Sequence, residues 1–136
     1  MIVGAEIVVG RSPSREVAAA ADVIERACKE RGFAVHRLAE ATRIDNRLCL
    51  YLSTVEDGHP LEDLLDRGVR RNAFARLDQT QYLVRSWRAG ARLQVALAAR
   101  SGAALVEAAR FVAERIAGKQ DFSHLDVQGP AYVEYE

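Results

Sequence analysis

The chain has 136 residues, 49% hydrophobic and 28% charged. This composition suits one globular domain with its own core and excludes a disordered tract. Lys plus Arg and Asp plus Glu balance at 19 each, so no net field draws the chain to nucleic acid or to an anionic membrane, and neither partner is expected. The sequence enters a strand pattern directly, with no leader pattern and no apolar run of membrane-spanning length, so a cytoplasmic location is expected.

AEIVVG, residues 5–10, is a β-branched run closed by a glycine and is predicted as a strand. RSPS follows, and from Ser14 to about Arg31 the apolar residues Val17, Ala20, Ala21, Ile24, Ala27 and Cys28 recur at helical spacing. Ser12 or Ser14 serves as the N-cap and Gly32 as the stop. FAVHRL (33–38) reads as a second strand, and RLCLYLST (47–54), nearly all apolar, as a third strand buried on both faces. The connection from Glu56 to Gln81 holds a turn cluster, a short helix starting at Pro60 and stopping at Gly68, and Phe74 and Leu77 as anchors.

Tyr82–Arg88 is a fourth strand, Ala89-Gly90 a turn, and Arg92–Ala98 the return strand. A second long helix runs from Gly102 to Ala117 with Leu105, Ala108, Ala109, Val112 and Ile116 on one stripe, and Gly118 ends it. The tail offers an apolar piece at 125–127, then Gly129-Pro130, then an alternation through Tyr132, Val133, Glu134 and Tyr135. The order predicts a single domain over residues 1–136: an α+β two-layer sandwich, with a mixed β-sheet and two long helices packed on one face.

Two loops lead from a strand into a helix N-terminus, GRSPS at 10–14 and ALAARSGAA at 96–104. Ser12, Ser14, Arg100 and Ser101 are the candidate anion contacts there. The first loop lacks the Gly-x-Gly-x-x-Gly or Gly-Lys-Ser/Thr spacing that wraps a pyrophosphate, and a plain capped helix start is its simpler reading; the second has one glycine, which permits a sharp turn, and a corner in the fold is its simpler reading. His36, His59 and His124 lack a partner at ligand spacing, and Cys28 and Cys49 read as two reduced, buried thiols, a single bridge being the alternative. The acidic pairs at 56–57 and 62–63 fall on solvated segments, and no nucleophile elbow is present. No catalytic residue, cofactor or metal is therefore assigned. The arginine-rich run from Arg67 to Arg76, Arg70 and Arg71 above all, would engage an acidic partner.

Three stretches carry a resemblance. IVVGRSPSREVAAAADVI, QYLVRSWRAGARLQVALAARSGAALVEAARFVAERI and FSHLDVQGPAYVEYE together resemble the accessory domains that precede glycoside-hydrolase barrels. Among these the pattern most resembles the N-terminal domain of α-glucuronidases, which is related in fold to the second domain of β-N-acetylhexosaminidases. The chain departs from that pattern at Gln81, at Leu97-Ala98, at Ser101, at Leu105-Val106 and at Glu134–Glu136, and it keeps Gly102. The resemblance implies a sheet with two helices on one side, a tail over 119–136 leading toward a (β/α)8 barrel, and catalytic carboxylates belonging to that barrel and not to this chain.

The leading reading is a non-catalytic accessory domain that packs against a barrel domain, a partner subunit or a second copy as a homodimer. Its expected contact surfaces are the sheet side away from the helices and the aromatics Tyr82, Trp87, Tyr132 and Tyr135. Flat rings also stack on sugars, so a carbohydrate ligand is the secondary expectation for them, beside plain core packing. The alternatives are a small intracellular protein-interaction or regulatory domain using the Arg70 and Arg71 loop, and an anion- or nucleotide-binding subunit using the two helix starts.

Overall fold

The computed structural model describes residues 2–54, 77–120, 125–129 and 133–134. In chain order they form β1 (Gly4–Val8), α1 (Arg15–Glu30), β2 (Ala34–Leu38), β3 (Arg47–Thr54), β4 (Tyr82–Ala89), β5 (Arg92–Ala99), α2 (Gly102–Ala117), β6 (Asp126–Gly129) and β7 (Val133–Glu134). The helix expected from Pro60, the Arg70 and Arg71 loop, His59, His124, Tyr132 and Tyr135 lie outside the described residues.

One mixed sheet of seven strands has the order β2-β1-β3-β5-β4-β6-β7. The four strands β2, β1, β3 and β5 run parallel, and β4, β6 and β7 add antiparallel pairings. Alternation along the strands sorts the core. Ala5 and Ile7, Leu48, Leu50 and Leu52, then Leu93, Val95 and Leu97 face the helices and pack with the buried stripes of α1 and α2. The two helices lie side by side on that face, which makes the α+β two-layer sandwich that the sequence predicts.

Each helix is set by local chemistry. Ser14 caps α1, its hydroxyl oxygen accepting the Val17 N–H at 3.2 Å. Its end is a Schellman motif: Gly32 takes φ +90°, its N–H bonds to the Lys29 carbonyl, and the Phe33 N–H bonds to the Cys28 carbonyl. Ser101 caps α2 in the same way, accepting the Ala104 N–H at 3.1 Å. There the left-handed position falls on Lys119 (φ 53°) rather than on Gly118, because the bonds from Lys119 to Ile116 and from Gln120 to Arg115 place the motif one residue later. In the β4–β5 hairpin Ala89 pairs with Arg92, so the loop is Gly90-Ala91, one residue beyond the predicted Ala89-Gly90 turn. Positive φ at Gly90 alone (63°) is the type II′ arrangement that joins twisted strands.

Among the described residues no helix is long and apolar enough to cross a membrane. The sheet side away from the helices, expected to be open to a partner, is interior over much of its area. Val8, Cys49, Tyr51, Leu77, Leu83, Ala96 and Ala98 are buried there as a second apolar cluster, with Ala41 and Trp87 packed against it.

Candidate functional site

The densest polar constellation sits on the helix-free side of the sheet, around Glu6 in the middle of β1. Glu6 has no solvent exposure. The register of β1, β3 and β5 brings Arg47 and Arg92, the first residues of their strands, to the same side of the sheet as its carboxylate. Arg47 Nη1 donates to Oε2 at 2.9 Å and Arg92 Nη2 to Oε1 at 3.2 Å. The Thr42 N–H donates to Oε1 at 2.9 Å, and the Thr42 hydroxyl donates to Oε2. The Cys49 thiol points at the same Oε1 from 4.0 Å. Burial alone would raise the Glu6 pKa, but the bonds from Thr42, Arg47 and Arg92 outweigh it and bring it down to about 2.

A carboxylate so held is ionised and saturated at neutral pH. It offers neither the proton of a general acid nor the free lone pair of a general base. The thiols are no more reactive. Burial pushes Cys28 up to about 12 and also raises Cys49, so both stay protonated near neutral pH. Burial raises Tyr51 too, and its hydroxyl donates to Gln94 Oε1 at 2.6 Å. Among the described residues no group of three His, Cys, Asp or Glu side chains could hold a metal ion.

The two predicted helix starts come together. The Glu16 side chain of α1 lies against Gly102, the first residue of α2, so close that a Cβ on Gly102 would fall 2.2 Å from Glu16 Cγ. The hydroxyls of Ser14 and Ser101 are engaged as caps, and Ser101 also donates to the Gln79 carbonyl at 2.7 Å. Ser12 and Arg100 are exposed. The carboxylate-bearing Glu16 thus occupies the ground between the two helix N-termini, where an anion would sit.

The aromatics separate. Tyr82 is 4% exposed and faces the helices, its ring centroid 6.4 Å from that of Phe111. Its ring also lies against Gly129, where a Cβ would fall 2.2 Å from it. Trp87 is on the opposite side of the sheet, half-buried, across the strand pair from Gln94.

Sequence reading did not single out the Glu6 cluster, although a signal exists. A lone carboxylate inside AEIVVG and an arginine opening both RLCLYLST and RLQVALAA are charges out of place in apolar strands, and buried charges require partners.

These features define the class as a seven-stranded α+β sandwich with a fully bonded ion cluster on its helix-free side. A solved structure with a similar fold is CpGH84D, a glycoside hydrolase of family 84, which is 9% identical with a TM-score of 0.59 over 93% of this chain. At that identity the likeness shows the fold alone, and this chain spans 20% of the length of that one. No family model and no curated protein matches the chain.

Proposed function

We propose that this chain is a non-catalytic accessory domain of glycoside-hydrolase type, acting through packing against a catalytic barrel domain or partner subunit. The observation that carries the reading is the asymmetry of the match to CpGH84D: 93% of this chain corresponds to 20% of that one. The fold of this chain corresponds to one part of a much longer glycoside hydrolase there. The bonding of the buried cluster supports the non-catalytic part. The buried carboxylate is saturated by Thr42, Arg47 and Arg92, and glycoside hydrolysis needs two carboxyl groups free to act across a cleft. The test is hydrolysis of a panel of aryl glycosides by the isolated chain. No product above background is expected. Turnover that disappears in Glu6→Gln would reverse the reading and make the cluster an active site.

A further inference from the structure

Residues 39–46 connect β2 to β3 without regular structure, yet they are held firmly. Thr42 is bound to Glu6 through its N–H and its hydroxyl, Arg92 Nη1 donates to the Ile44 carbonyl at 2.5 Å, and Asn46 bonds through its backbone to both Val3 and Ala91. The consequence is an outward corner of exposed residues, Arg43, Ile44 and Asp45, followed by Asn46. Ile44 is 50% exposed, and Val3, tied to the same segment by its bond to Asn46, is 60% exposed; these two are the exposed large hydrophobics among the described residues. Neither Arg43 nor Asp45 has an ion pair or hydrogen-bond partner among the described residues.

We propose that this corner, with Val3 beside it, is a self-association surface that takes a second copy of the chain about a two-fold axis. Ile44 packs against Ile44, and Arg43 of each copy meets Asp45 of the other. The charge order selects this occupant. With the two-fold axis perpendicular to the segment at Ile44, the two copies run antiparallel there and Arg43 of each meets Asp45 of the other, the arrangement this charge order favours over a parallel one. An apolar centre with a charged rim is the usual anatomy of an interface, and a corner already fixed by buried bonds loses little freedom on docking. The patch is small, so the association is weak and salt-sensitive. It does not depend on the accessory-domain reading.

The test is sedimentation equilibrium at low salt, across a concentration series reaching the millimolar range, with circular dichroism to confirm each fold. The wild type forms dimers as concentration rises, and Ile44→Asp abolishes them. Arg43→Asp and Asp45→Arg each weaken association by about tenfold or more, and the double exchange R43D/D45R recovers it. A wild type that stays monomeric throughout would overturn the proposal. So would a dimer indifferent to Ile44→Asp, or a double exchange no better than the single ones.

Discussion

A carboxylate with no exposure in the middle of an apolar strand holds its charge because the Thr42 N–H and hydroxyl, Arg47 and Arg92 donate to it, with the Cys49 thiol beside them. Its pKa falls from 4.5 to about 2 on folding. The folded pKa lies below the unfolded one, so the unfolded chain binds more protons between those values. The stabilisation is complete above about pH 4.5 and is lost as pH falls toward 2, on the order of 3 kcal/mol in all. Urea unfolding across that window measures it, and Glu6→Gln removes this part of the slope. The same substitution leaves two arginines facing a neutral amide, at an expected cost of about 3–5 kcal/mol at neutral pH. Lys119 is the opposite case, a residue its position does not suit. It holds the left-handed position that ends α2, at φ 53°, which costs an L-residue roughly 1–2 kcal/mol. Lys119→Gly is expected to raise the thermal midpoint by about 2–5 °C; an unchanged or lower midpoint would show that the strain is not there.

The elements that were legible are those whose signals are local. The Ser14 cap, both apolar stripes and the hairpin glycine stand in the sequence with the geometry they require. The errors are shifts of one or two residues, as at β1, read over 5–10 and found over Gly4–Val8. The tail strands β6 and β7 were visible only as an apolar piece and an alternation, because strands of four and two residues owe their existence to β4 and to each other. The Glu6 cluster was legible only as charges out of place in apolar strands, and its assembly was hidden for a related reason. Its partners are 36 to 86 residues away, and only the strand order β1-β3-β5 aligns them. Gly102 was legible as the glycine the chain keeps from the resembled pattern, but not in its cause, the approach of Glu16 from α1. A Cβ there would fall 2.2 Å from Glu16 Cγ and 2.3 Å from Glu16 Cβ. Gly102→Ala should therefore cost about 1–3 kcal/mol in denaturant unfolding. Glu16→Ala relieves little of that, since its Cβ remains, whereas Glu16→Gly in the same chain recovers most of it. Equal rescue by both would mean that the helices part freely.

For the molecule as a whole, the expectation of two helices on one face of a mixed sheet holds, and the other face is not bare. The buried cluster of Val8, Cys49, Tyr51, Leu77, Leu83, Ala96 and Ala98 makes that side a second core, so a docking barrel would find little open apolar sheet at those positions. Contact in the accessory-domain reading therefore falls on surfaces other than the covered strands. Such contacts between domains of one protein are modest in area and partly polar, so mixing the separated partners should give measurable but not extreme affinity. The most direct measurement is an isothermal titration of this chain into any glycoside-hydrolase barrel encoded with it or beside it, with hydrolytic activity followed in the same mixtures. Saturable one-to-one binding, with all turnover belonging to the barrel, is the expected result; no binding, together with hydrolysis by this chain alone, would contradict it.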